Sequence, residues 1–228
     1  MHFGPAFAFR PYRLSGTVYG TLMNHPGSLA ALGSAVYQAP YKAPPRAPVL
    51  YIKPRNTLLA PGAAPQVPAG GEMEVGASLG IVIGRTACRL TAANAFDAVA
   101  GYCIVADLCE PHAQFYRPSV RLRARDASCA AGPMVVPRAS VPDPDSLAIT
   151  VSVDGGVVQR ASTAGMQRGV GSLLVDVTEF MTLLPGDVLL LGLNPGAPRL
   201  RAGQSASIEI ERLGRLNLAP AVSEQATA

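Results

Sequence analysis

VGASLGIVIGRTA, residues 75–87, holds at Leu79–Gly84 an unbroken apolar, β-branched run that reads as a buried strand. VAGYCIVADL, residues 99–108, ends in a second such run, CIVADL. Between them TAANAFDAVAGY (91–102) offers Thr91 as a cap and small apolar residues at helical spacing, which predicts a helix. Upstream, VLYIKPRNTLL (49–59) alternates as a strand does, and the prolines and glycines of PGAAPQVPAGGE (61–72) forbid regular structure. Further upstream, Thr17-Val18-Tyr19 is strand-like, and a helical stretch spans Leu29–Tyr37 before YKAPPRAP stops it. Downstream, LAITVSV (147–153), the turn Asp154-Gly155-Gly156 and VVQR (157–160) make a hairpin. Leu173–Leu184, with Asp176 and Glu179 on its polar side, is the best amphipathic helix, and PGDVLLLG (185–192) and ASIEIERLG (206–214) are further strands. Many short strands with two or three helices predict a β-rich mixed α+β fold, not a doubly wound sheet.

The bulk properties narrow the function classes. The 228 residues are 49% hydrophobic and 15% charged, against roughly 25% charged in an average soluble domain, which excludes intrinsic disorder for most of the chain. Gly, Pro or Arg interrupts every apolar run before the roughly 18–20 residues of a bilayer span, so no membrane segment is expected. MHFGPAFAFRPYRLSG lacks the features of a secretory signal, and a cytoplasmic location is the expectation. Cys88, Cys103, Cys109 and Cys129 show neither metal-finger nor disulfide spacing and read as reduced fillers. Net charge is +4, but the arginines are scattered apart from one cluster at Arg117–Asp126, so nucleic acid is not an expected partner, whereas a small anion is. Residues 1–48 read as an arm and lid, 49–220 as the main domain and 221–228 as a frayed tail.

No nucleotide-binding glycine motif occurs, and with His2, His25 and His112 the only histidines, no Ser-His-Asp assignment is made. Eight segments in order carry the functional signal: YKAPPRAPVLYIKPRNTLLAPG (41–62), VGASLGIVIGRTA, VAGYCIVADL, FYRP (115–118), RARD (123–126), STAGM (162–166), EFMTLLPGDVLLLGLNPG (179–196) and LGRLNL (213–218). Together they resemble the fumarylacetoacetate hydrolase family over Val18–Leu218. Within it, the runs YKAPP, FYRP and EFMTLLPGD are similar to a group of isomerase/decarboxylases of aromatic-acid degradation built from two related halves, this chain resembling the N-terminal one.

The resemblance implies a fumarylacetoacetate hydrolase-like fold with a few short helices and a divalent cation, Mg2+ or Mn2+, that chelates the 2-oxo acid end of a dienedioate. The family holds that cation with an E-x-E pair on one strand face and an aspartate on a neighbouring strand. Gly76 and Ser78 stand at the two glutamate positions here, and Asp107 keeps the third. Glu72 and Glu74 form another E-x-E four residues early, and their use requires a shifted register. In the lid, Ser28 and Ala31 replace the family's His/Glu pair, leaving His25 as either a substitute base or a turn residue. Arg123 stands for a family lysine, while Lys53 and Thr163-Ala164 match family positions. His25, Lys53 and Arg123 are thus the catalytic candidates, and Lys53, Arg121 and Thr163 the substrate-binding ones. Three roles follow: a subunit with a decayed metal site beside a metal-complete sibling or second copy, an active Mg2+ or Mn2+ enzyme using Glu72, Glu74 and Asp107, or a dicarboxylate-binding module without bound metal.

Overall fold

Met73–Ile83 and Val99–Cys109, eleven residues each, are the longest strands, and they run antiparallel from Glu74 opposite Cys109 to Ile83 opposite Val99. The computed structural model describes residues 7–9, 12–14, 16–59, 63–113, 115–116 and 119–223. In chain order the principal strands are β1 (Val18–Leu22), β2 (Val49–Lys53), β3 (Met73–Ile83), β4 (Val99–Cys109), β5 (Cys129–Pro137), β6 (Ala148–Val153), β7 (Gly156–Ser162), β8 (Val188–Leu190), β9 (Ala206–Ile210) and β10 (Gly214–Leu218). Helices α1 (Pro26–Leu32), α2 (Val120–Arg123) and α3 (Val170–Phe180) complete the frame.

One sheet has the order β2-β1-β8-β3-β4-β5, with Arg199–Leu200 added beside the start of β3; a second has the order β7-β6-β9-β10. The pleat of the first sheet separates two faces. Leu79, Ile81 and Ile83 of β3 with Tyr102, Ile104 and Leu108 of β4 join a large core that takes in Leu173, Leu174 and Val177 of α3 and Ile149, Val151, Ile208 and Ile210 of the second sheet. On the other face Val18, Val82, Cys103, Val105, Cys129, Val188 and Leu190 form a smaller cluster. Cys103, Cys109 and Cys129 are buried and Cys88 is exposed, all four unpaired.

Two expectations are corrected. The helix expected at Thr91–Tyr102 is absent: the Asn94 side chain accepts from the Thr91 amide and closes a turn, a short 3-10 stretch spans Ala95–Ala98, and Val99 already begins β4. α3 lies three residues earlier than Leu173 because Asp145 accepts the Val170 amide at its start, and it stops at Phe180 because Met181 is extended (φ −141, ψ 156). Within the stretch read as arm and lid, β1 sits inside the first sheet between β2 and β8. At the other end, Val222–Ser223 pairs in parallel with Gln66–Val67, so order extends past residue 220, while 224–228 lie outside the described residues. The β6–β7 hairpin forms as read, with Asp154 and Gly155 both at positive φ.

Candidate functional site

Alternation on β2 turns Tyr51 and Lys53 the same way, and alternation on β4 turns Asp107 toward them. Gly20, opposite Tyr51, leaves space for the ring, because a Cβ there would fall 2.0 Å from the tyrosine Cζ. The segment after β4 returns through α2, which delivers Arg123, and then Ser128 ahead of β5.

These residues close around one carboxylate. Lys53 Nζ lies 2.9 Å from Asp107 Oδ1 and donates to the Leu108 carbonyl (2.9 Å), the Arg123 carbonyl (2.5 Å) and Ser128 Oγ (3.0 Å). The Arg123 guanidinium reaches Asp107 Oδ2 at 3.3 Å and stacks 4.6 Å from the centre of the Tyr51 ring, whose hydroxyl also donates to Oδ2. Asp107 is 0%, Lys53 1% and Arg123 5% exposed. Burial by itself would raise the Asp107 carboxyl, but Lys53, Arg123 and the Tyr51 hydroxyl together hold it below the usual carboxylate range. Burial, then the Asp107 charge, pushes the Tyr51 phenol well up, and burial pushes the neighbouring Cys109 thiol to about 12.

Linkage then sets a sign. A carboxyl depressed in the folded state contributes stability that is complete above its unfolded value of about 3.9 and is lost as pH falls through the folded value. In urea unfolding between about pH 4 and pH 2, Asp107→Asn should therefore show a shallower loss of stability with acid than the parent chain. Equal slopes would mean that Asp107 is not held ionised by its neighbours.

The residues present do not fit a divalent cation. Gly76 faces Asp107 across the β3–β4 ladder, and a Cβ there would stand 2.7 Å from the Asp107 carbonyl oxygen and 2.8 Å from Leu193 Cδ1. Ser78 is buried with its hydroxyl donating to the Gly192 carbonyl at 3.0 Å. Glu72 pairs with Arg199 (3.4 Å) and Arg201 (3.2 Å), and Glu74 with Arg199 (3.3 Å). The shifted E-x-E is thus held by surface arginines, and among the described residues no group of three His, Cys, Asp or Glu side chains could hold a metal ion. One hard oxygen donor remains, Asp107, and both its oxygens already face cationic nitrogens.

The other sequence candidates separate. His25 caps α1, its Nδ1 accepting the Gly27 amide at 2.9 Å, which is the turn alternative left open above. Arg121 is exposed on α2, and Arg125 pairs with Glu110. Thr163 is 1% exposed, and its Oγ1 accepts the Leu147 amide at 2.8 Å. Of the residues put forward, only Lys53, Asp107 and Arg123 come together.

Tyr51, Ser128 and Asn24 were missed. Tyr51 could have been found from its place two residues before Lys53 on the same strand face. Asn24 is buried, its amide donating to the carbonyls of Arg168 and Leu191 and its oxygen accepting the Arg168 amide, so it ties the start of α1 to two distant loops; nothing local in the sequence marks it. A cavity of about 400 Å³ lined by Phe96, Tyr102, Arg138 and Val141 lies elsewhere, with none of the cluster residues in its wall.

Comparison with known proteins agrees with this architecture. The family described as "Fumarylacetoacetate (FAA) hydrolase C-terminal" matches residues 17–219. The 4-hydroxyphenylacetate degradation bifunctional isomerase/decarboxylase of Salmonella dublin is 36% identical over 211 residues, covering 92% of this chain and 48% of that protein. The chain therefore spans about half the length of such relatives. The crystal structure of 5-carboxymethyl-2-hydroxymuconate delta-isomerase from Mycobacterium smegmatis superimposes with a TM-score of 0.75 at 28% identity, covering 93% of this chain and 81% of that one. Fumarylpyruvate hydrolase from Pseudomonas aeruginosa, solved with Mn2+ and pyruvate, shares the fold at a TM-score of 0.79, 22% identity and 97% coverage of both chains. No helix among the described residues is long and apolar enough to cross a membrane. On the family match, the relatives and the fold, this chain belongs to the fumarylacetoacetate hydrolase family.

Proposed function

We propose that this chain is a supporting half of an isomerase/decarboxylase acting on 2-oxo-hexene or heptadiene dioates, with its own metal site replaced by a fixed ion-pair cluster. The observation that carries the reading is the enclosure of Asp107. Arg123 presents positive charge to Oδ2 while Lys53 faces Oδ1, so the carboxylate is neutralised by the chain's own side chains. Gly76 and Ser78 then have no cation to serve, and they pack against Leu193 and hydrogen-bond the Gly192 carbonyl. A half that has lost its chemistry can keep its scaffold and its contact with a metal-complete homologous subunit, since fold stability and ligand set are separate demands. The reaction class rests on the similarity to the Salmonella dublin enzyme, and the dicarboxylate substrate class on that to the 2-hydroxyhepta-2,4-diene-1,7-dioate isomerase of Mycobacterium marinum.

Calorimetric titration with Mg2+ and with Mn2+ tests this. The chain alone should take up neither stoichiometrically, and a co-expressed complex with a homologue carrying both family glutamates should bind one ion per homologue. Uptake of one ion per copy of this chain would overturn the replaced-site reading. Failure of the two chains to co-purify would overturn the supporting role.

A further inference from the structure

We propose that His112 and Ser119 form a nucleophile-base pair able to cleave small carboxylic esters, separate from the Asp107 cluster. The two side chains meet across the segment between β4 and α2, with Ser119 Oγ 3.2 Å from His112 Nε2. On the other side of the ring, Nδ1 lies 2.9 Å from the Glu110 carbonyl oxygen. A carbonyl only accepts, so Nδ1 of the neutral ring carries the proton, which leaves Nε2 as the acceptor for the serine hydroxyl. In that tautomer the serine hydroxyl donates to Nε2 over 3.2 Å, the contact through which an imidazole activates a serine.

Two further features set the pair apart from a chance surface contact. Glu110, which orients the ring, is itself anchored: its amide donates to the Leu122 carbonyl at 2.9 Å and its carboxylate pairs with Arg125. Ser119 occupies the N-cap of α2 yet makes no side-chain cap bond, so its hydroxyl forgoes the usual partner of a capping serine in favour of the imidazole. Both residues are half-buried, within reach of solvent. The Phe115 ring stands 5.1 Å from the imidazole, and exposed Tyr116 follows it, offering flat apolar surface to an acyl group.

In the step this allows, Ser119 Oγ attacks the ester carbonyl as its proton passes to Nε2. Collapse of the tetrahedral species breaks the bond to the leaving alcohol, which takes that proton. Water, deprotonated by Nε2, then releases the acid and restores Ser119. No other reactant is required.

The test uses the full chain with a fluorophosphonate probe and with p-nitrophenyl acetate. One adduct per chain, mapped to Ser119, and a burst of p-nitrophenol near one equivalent are expected. Ser119→Ala should abolish both. His112→Asn keeps a donor for the Glu110 carbonyl and removes the base, so it should slow labelling at least 100-fold while the melting temperature stays near the parent value. An unlabelled folded chain, an adduct elsewhere, or labelling as fast in His112→Asn as in the parent would overturn the proposal.

Discussion

Replacing Lys53 with methionine should lower the stability of this chain by about 3–5 kcal/mol, enough to unfold much of it at 37 °C. Methionine nearly matches the lysine in volume, so packing alone predicts little. The cost is electrostatic. The ammonium faces Asp107 Oδ1 at 2.9 Å and donates to two carbonyls and to Ser128, all inside the protein. Its loss strips three acceptors of a donor and leaves the Asp107 carboxylate with Arg123 and Tyr51 alone. Adding Asp107→Asn to Lys53→Met should recover part of the loss, because an amide does not demand a counter-charge. Urea unfolding of the four members of the cycle measures this. A Lys53→Met cost below about 1 kcal/mol would show that the lysine skirts the core edge and does not close the cluster.

That lysine also shows how far the sequence reaches. The alternating VLYIK and the unbroken, β-branched LGIVIG form strands where they are read, because alternation and β-branching act locally. The family resemblance placed Lys53, Asp107 and Arg123 in one list of candidates, and the structure brings those three together. What no local pattern carries is the destination of each hydrogen bond. Thr163 matches a family position, yet its hydroxyl is spent on Leu147; Glu72 and Glu74 have the right chemistry, yet Arg199 and Arg201 arrive from a segment more than a hundred residues away. The helix expected at Thr91 failed for a related reason: small apolar residues fit a helix, but the Asn94 side chain offers the Thr91 amide a competing turn, and pairing with β3 claims the chain from Val99. Asn24 and Ser119 are polar residues whose partners lie across loops, and both are invisible to periodicity.

Restoring a glutamate at position 76 should fail, and the way it fails separates packing from charge. Gly76→Ala adds only a methyl group, which must sit 2.7 Å from the Asp107 carbonyl oxygen and 2.8 Å from Leu193 Cδ1. The first contact is with backbone in the central ladder and cannot yield cheaply, so a cost of about 1–3 kcal/mol is expected. Leu193→Ala in that background relieves the side-chain contact but not the backbone one, and should recover only part of the loss. Gly76→Glu adds a carboxylate to the same crowded space, where Lys53 and Arg123 are already engaged with Asp107. Its cost should exceed that of alanine by a further 2 kcal/mol or so, and it should not confer Mn2+ binding, since the donors around it point at cations of the protein. Urea unfolding and Mn2+ calorimetry of Gly76→Ala, Gly76→Ala/Leu193→Ala and Gly76→Glu decide the matter. If Gly76→Glu folds with parental stability and takes up one Mn2+, then Asp107 can leave Arg123 for a metal, and the ion-pair cluster is a resting arrangement of a working site. If Gly76→Ala alone carries most of the cost, backbone packing is what bars a side chain at position 76, and the loss of the metal ligand is built into the spacing of β3 and β4.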